Sequence, residues 1–458
     1  MQKYVSIILV ASFVSAVYIN TAHGQSSLLP EQSTLNDHFG ESIAADGLWM
    51  VVGDPQDSSE APLRGSVHIY RNTGTSWTLY QRLSPEVVPG TGLNIFYGSS
   101  VDLNGDWLLV GAPGDDEAGT NSGAVLVYQF DSESGLWTHF NKLFSSNPQV
   151  GDHFGTSVAI DAGSSLAIVG QLDDYDTGKL HPWLVIDVAG FDWIPLASFS
   201  NPSGATNTQF GLSLVLDNNT LIAGAPLEGN GRGSAWIMTF NGNLSEFVVD
   251  AELQPDVSVL SPYFGSAVDI AGPRAIIGSP RDGNGASNGG SAYLFSKQTG
   301  SWLFLDKFNG TATEAGDGFG SSVQIENSSV VVGAPNHGNQ TGEAYSFDVT
   351  GSTAVEIIQL TPSDGVPQGY FGHSCLVAQN DIAVASIAYN NPALPSGKVY
   401  LYNQVAMFGD FDSDNDCDIQ DLLLLIGAWG PCSANCAPDL DGNGQVDVVD
   451  LLEFISIW

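Results

Sequence analysis

The sequence predicts an all-β protein, a seven-bladed β-propeller of four-stranded antiparallel blades, followed by a small α-helical domain built on paired calcium loops. Three observations point there. An aromatic–glycine pair recurs seven times at nearly constant spacing. Each copy leads into short runs rich in Val, Ile, Tyr and Trp, separated by Gly, Asn, Asp and Pro. After Tyr402 the composition changes to regularly spaced aspartates.

The chain opens with Met1-Gln2-Lys3, an apolar run from Tyr4 to Ile19, and small residues at Ala22 and Gly24. That is the pattern of a secretory signal peptide over 1–24, cleaved after Gly24. The run is short for a membrane span, which needs roughly 20 apolar residues. The expected mature chain is therefore secreted or at the cell surface, without a membrane span.

The repeated pairs are Phe39-Gly40, Tyr97-Gly98, Phe154-Gly155, Phe210-Gly211, Phe264-Gly265, Phe319-Gly320 and Phe371-Gly372, spaced by 58, 57, 56, 54, 55 and 52 residues. Fourteen residues after the aromatic, five repeats place a Gly-x-Pro, at Gly53, Gly111, Gly224, Gly278 and Gly333. The third repeat has Gly170-Gln171-Leu172 instead, and the seventh Ala385-Ser386-Ile387. A further glycine opens an apolar run at Gly65, Gly123, Gly290 and Gly397, and a Trp heads another at Trp77, Trp137 and Trp302. Four short runs per repeat are four antiparallel strands. Asp46-Gly47, Asn104-Gly105 and Asn218-Asn219 supply tight turns between the first two. Seven four-stranded units over 25–404 form a propeller, with each aromatic wedged between neighbouring blades.

The seventh repeat lacks its Trp-and-Leu strand. Leu29-Pro30-Glu31 echoes Leu83-Ser84-Pro85-Glu86, so the N-terminal strand, placed at Ser27 to Pro30, completes the last blade against Val399 to Tyr402 and removes an open edge. These motifs resemble the FG-GAP repeats of the integrin α-subunit propeller and of many exported bacterial proteins. The Asp-x-Asp-x-Asp-Gly calcium loop that can accompany that repeat is missing here. The acidic run Asp115-Asp116-Glu117 reads as a solvated turn.

In 405–458, the segments Asp410–Trp429 and Asp439–Trp458 overlay without gaps, 29 residues apart. Asp410, Asp412, Asp414, Asp416, Asp418 and Asp421 fall at positions 1, 3, 5, 7, 9 and 12 of a loop; Asp439, Asp441, Asn443, Gln445, Asp447 and Asp450 fall at the same positions of a second. This spacing places six or more oxygens around one hard cation, Ca2+, with position 7 offering its backbone carbonyl. Each loop runs into a helix whose apolar stripe, Leu422, Leu425, Ile426 and Trp429 or Leu451, Phe454, Ile455 and Trp458, is placed to bury the other. The pair resembles a type I dockerin, which implies calcium-dependent docking to an extracellular or cell-surface protein. Positions 10 and 11, Ile419-Gln420 and Val448-Val449, differ from the Ser-Thr that faces the cohesin in cellulosomal dockerins.

Fifty acidic residues against twelve basic ones give a net charge of −38. Such a chain is repelled by nucleic acid and by anionic lipid. Cys375 aligns with strand residues such as Val101 and Val323 and reads as buried, while pairing among Cys417, Cys432 and Cys436 stays open. His38 and His153 precede the repeat aromatic and read as loop positions; Trp49, Trp107 and Trp236 read as blade packing that can offer a sugar-stacking surface. The function expected is an exported non-enzymatic binding or scaffold protein: a ring presenting a protein- or glycan-binding surface, and a calcium-dependent docking tail. The alternative is a carbohydrate-active, polysaccharide-degrading subunit of a dockerin-tethered extracellular assembly. Catalysis would then sit where the third repeat breaks the pattern, at Gly170 to Trp183.

Overall fold

The computed structural model describes residues 25–32, 37–59, 63–74, 76–85, 94–173, 177–186, 192–255, 262–283, 288–378, 381–387, 396–403, 419–431, 438 and 445–457. Residues 1–24, where the sequence predicts a signal peptide, lie outside them. Blade 1 consists of Ile43–Asp46, Trp49–Asp54, Ser66–Asn72 and Trp77–Leu83, hydrogen-bonded in that order. Blades 2, 4, 5 and 6 repeat the plan, beginning at Ser100, Leu214, Ala267 and Ser322. Blade 3 lengthens its third strand to Gly178–Ile186, shortens its fourth to Asp192–Pro195, and adds Phe199–Ser200 beside the third. Blade 7 takes Phe371–Ala378, Asp381–Ser386 and Lys398–Asn403 from the end of the ring and its fourth strand, Gln25–Leu28, from the beginning.

The closing strand is Gln25–Leu28, two residues earlier than the expected Ser27 to Pro30, and the leucine equivalent to Leu83 moves by one. Leu28 pairs with Val399, as Leu83 pairs with Val67, so Leu28 and not Leu29 is the equivalent of Leu83. Because strand side chains alternate faces, that one-residue difference decides which leucine is inside. Leu28 is 5% exposed and packs with Phe39, Met50 and Val399, whereas Leu29 is 56% exposed.

The first strands are innermost, since those of blades 1, 4, 5, 6 and 7 border one cavity. The core is not a single centre but seven layers, each shared by two neighbouring blades. Val51 and Ile69 of blade 1, for example, pack with Leu108 and Leu126 of blade 2, and Leu28 with Met50 closes the set between blades 7 and 1. Second strands are thus apolar on both faces; Trp107–Ala112 is buried throughout. All seven repeat aromatics are completely shielded from solvent, in these seams.

The glycines of the repeat serve the same seams. A Cβ on Gly53 or on Gly65 would collide with the carbonyl oxygens of Gly98 or Tyr97 in the next blade. Gly178, Gly233 and Gly342 hold the third-strand position in blades 3, 4 and 6, completing a set of which the sequence shows four clearly. The residue before each aromatic is left-handed: His38 (φ 64°), Phe96 (φ 53°), His153 (φ 47°), Gln209 (φ 54°), Tyr263 (φ 55°), Gly318 (φ 70°) and Tyr370 (φ 53°). That conformation costs a residue with a Cβ about 1–2 kcal/mol, so seam geometry overrides local preference at six of the seven.

Past the ring, the helices Ile419–Gly427 and Val448–Ile457 meet through Leu425, Phe454 and Val446, and Gly430–Pro431 pairs with Gln445–Val446. Ile426, Trp429 and Ile455, expected to bury each other, are about half exposed; two helices of this length give only the Leu425–Phe454 side a partner. Among the described residues no helix is long and apolar enough to cross a membrane.

Two substitutions test this packing. Phe319, ringed by Tyr345, Phe347 and Phe308, should cost about 3–5 kcal/mol on change to alanine, read by denaturant unfolding. Leu28→Ala should cost about 2–5 kcal/mol and Leu29→Ala under about 0.5 kcal/mol. The reverse order would restore the other register.

Candidate functional site

Two polar rings line the passage inside the first strands. Three residues after the repeat aromatic, a serine hydroxyl donates to the aromatic-pair glycine carbonyl of the next blade. The links are Ser42 to Gly98 (2.8 Å), Ser100 to Gly155 (2.9 Å), Ser157 to Gly211 (2.6 Å), Ser213 to Gly265 (3.2 Å), Ser322 to Gly372 (2.8 Å) and Ser374 to Gly40 (2.7 Å). Blade 5 has Ala267 there. A cavity of about 250 Å3 opens among Ser42, Ser100, Ser157 and Ser213.

At the opposite end, carboxylates and amides reach across the seams to backbone N–H groups of the next first strand. The amide of Gly105 donates to Asp46 (2.6 Å), Ile160 to Asp102 (2.7 Å), Gly272 to Asp217 (2.7 Å), Ile325 to Asp269 (2.6 Å) and Val377 to Gln324 (2.9 Å). The Asp269 link spans the seam where the serine is missing. These groups answer the donors that an inner edge strand leaves open. Asp46, Asp217, Asp269 and Glu326 also border a cavity of about 500 Å3. Burial pushes the Asp102 and Asp269 carboxyls up to about 7, against the pull of two backbone N–H donors each. Burial, then the Asp46 charge, raises Glu326.

A second regular feature follows the Gly-x-Pro. Asp57 pairs with Arg82 (2.6 Å), Asp115 with Lys142 (2.8 Å) and Asp282 with Lys307 (2.9 Å), each base coming from the fourth strand of the same blade. Asp115 is therefore a buried, paired acid and not part of a solvated turn. Asp57 and Asp54 also lie beside His68, so that one donor atom from each falls within 4.8 Å of the others, all three residues buried. Burial and the neighbouring Asp37 and Asp57 charges raise Asp54 well above the carboxylate range, while burial and Arg82 lower His68 to about 4.

In blade 3, where the repeat breaks, Gln171 and His181 are buried and hydrogen-bonded to each other at 2.9 Å. Trp107 and Trp236 are buried, and Trp49 packs against Trp137, Tyr80 and Phe130; blade packing is the role these indoles fill. Buried Cys375 contacts Ser322 (3.2 Å), and its thiol is pushed up to about 12, chiefly by burial.

In the tail, Asp410, Asp412, Asp414, Asp416, Asp418, Asp439, Asp441 and Asn443 lie outside the described residues, as do Cys417, Cys432 and Cys436. Asp421 and Asp450 stand in the first turns of their helices, both fully shielded from solvent. Asp447 accepts the Val449 amide (2.8 Å) while Asp450 accepts the Asp447 amide (2.7 Å), a reciprocal helix cap. Gln445 is exposed, and its backbone pairs with Pro431.

The chain carries FG-GAP repeats: the family described as "FG-GAP repeat" matches residues 24–70, 93–128, 137–181, 250–295 and 302–347. No curated protein matches the sequence. Among solved structures, one of a protein from Lactobacillus plantarum is similar with a TM-score of 0.49 and 12% identity, covering 71% of this chain and 86% of that one. Sqt1 of Saccharomyces cerevisiae is similar with a TM-score of 0.45 and 12% identity, covering 82% of this chain and 98% of its own.

The inner carboxyls make the ring sensitive to pH. Because folding raises the Asp102 and Asp269 pKa values, the folded ring keeps protons that the unfolded chain releases between about pH 4 and pH 7. Stability should fall as pH rises through that window. Thermal midpoints across it should show a shallower slope in the Asp102→Asn/Asp269→Asn double variant; an identical slope would place the titration elsewhere.

Proposed function

We propose that this is an exported, non-enzymatic binding or scaffold protein whose ring presents a protein- or glycan-binding surface and whose tail docks it to an extracellular or cell-surface partner when calcium is bound. A propeller of FG-GAP repeats suits binding and scaffolding: its backbone is committed to seams, and its outer strands and loops are left to carry recognition.

The observation that carries the docking half is the outward apolar face of the tail. Ile419, Leu423, Leu452, Val448 and Ile455 are all at least half exposed on two short helices. A dense cluster of apolar side chains in so small a unit marks a contact surface. Support for calcium comes from the phase of the two acidic segments and from Asp421 and Asp450. Each is a shielded carboxylate at position 12, where a calcium loop grips the ion with both oxygens. Bound calcium would neutralise carboxylates whose mutual repulsion opposes loop closure, so ion binding would add directly to folding.

Calcium titration of the full chain should show two sites, with Asp421→Ala and Asp450→Ala each removing one. A peptide of residues 405–458 should gain helical circular dichroism with calcium and lose it with chelator, while magnesium, which demands a smaller octahedron, substitutes poorly. Capture of a partner from extracellular material should need calcium. A tail already helical without the ion, in a chain that binds none, would defeat the docking reading and leave the ring's role standing.

A further inference from the structure

Blade 1 carries an unusual pair at two buried positions that lie diagonally across adjacent strands, Asp54 pairing with Ser66 and His68 with Val52. The residue that is Ala or Ser in five blades, as at Ala112 and Ser279, is Asp54; the residue that is mostly aromatic elsewhere, as at Trp236 and Tyr293, is His68. Both side chains are completely buried, and among the described residues neither Asp54 carboxylate oxygen nor His68 Nδ1 has a hydrogen-bond partner. Asp54 Oδ2 and His68 Nε2 are 3.8 Å apart, beyond hydrogen-bond range. His68 Nε2 has Ser66 Oγ at 3.1 Å, so the Asp54 carboxylate is the group left wholly unbonded, and burying a carboxylate without partners is among the least favourable things a fold can do.

Blade 3 supplies an internal comparison. There the same two positions hold Gln171 and His181, which satisfy each other directly at 2.9 Å. Blade 1 has the histidine but a shorter, charged partner that falls short of it, and a third ligand-type group, Asp57, on the adjoining loop.

We propose that Asp54, Asp57 and His68 form a structural binding site for a divalent first-row transition ion of the zinc type. One donor atom from each residue already lies within 4.8 Å of the other two. Ligands about 2.0–2.2 Å from a shared zinc ion stand roughly 3–4 Å from each other, so small side-chain rotations close the set. Two carboxylates with one imidazole suit zinc or manganese, whereas calcium and magnesium prefer oxygen alone.

The outer shell is also in place. Arg82 donates to Asp57 Oδ2 (2.6 Å) and the Ser59 amide to Asp57 Oδ1 (2.8 Å). Such partners fix ligand orientation. All three ligand residues are buried, away from any opening a substrate could use, so the ion's task is mechanical. The Phe39 ring stands edge-on to His68 at 5.3 Å while its backbone bridges to Gly397 of blade 7. The ion would lock the loop of blade 1 onto its third strand beside the seam that joins the first and last blades.

The test uses the full chain with calcium saturating the tail, stripped of other metals and then supplied with zinc. Wild type should retain one equivalent of zinc through gel filtration and gain thermal stability from it. Asp54→Ala and His68→Tyr, which install residues found at these positions in other blades, should each lose that equivalent and the stabilisation while keeping the wild-type circular dichroism. A wild type that retains no zinc, or a folded Asp54→Ala that still retains it, overturns the site. Should neither variant fold, zinc-edge X-ray absorption of wild type decides: imidazole plus oxygen scattering upholds the assignment, and oxygen scattering alone overturns it.

Discussion

The ring depends on how closely the backbones of neighbouring blades approach. At six of the seven seams, the carbonyl groups of an aromatic–glycine pair are pressed against two glycines of the preceding blade, with no room for a side chain; at the seventh, Ala385 replaces one of them. Gly98 lies against Gly53, and Tyr97 against Gly65, with Ser42 donating to the Gly98 oxygen. Once the backbones are that close, the aromatic ring has nowhere to go but between the sheets, and the apolar faces of second and third strands must match those next door. The left-handed residue before each aromatic is held by this constraint.

That constraint is why so much of the ring can be read from composition and spacing. A position that admits only glycine announces itself in sequence, and so does a fully enclosed aromatic. Groups that merely prefer a residue are harder to see. Ser42, Ser100 and Ser157 do the same work in three blades, yet serine is common enough that their period goes unnoticed beside the glycines. The closing strand shows a different limit: Leu28 and Leu29 are chemically alike, and only pairing with Val399 tells them apart.

The buried cluster of blade 1 was illegible for a third reason. Asp54 and His68 sit on separate strands, and nothing in their spacing resembles a ligand motif; strand register alone brings them together. The anomaly is visible only after the blades are superimposed, when a small residue and an aromatic are seen to have been replaced by an acid and an imidazole. In the tail the reverse holds. Its periodicity is plain in sequence, while Asp447 and Asp450 show the structure using two of those acids to cap a helix. Helix caps and cation ligands call for the same side chains, and one aspartate serves both.

Closure inside blade 7 also settles where the chain joins and leaves the ring. Gln25 is paired with Tyr402, so the first and last strand residues of the ring, Gln25 and Asn403, stand side by side at one end of blade 7. A pull on the tail is therefore borne first by the third strand of blade 7, clamped between Gln25–Leu28 and Asp381–Ser386.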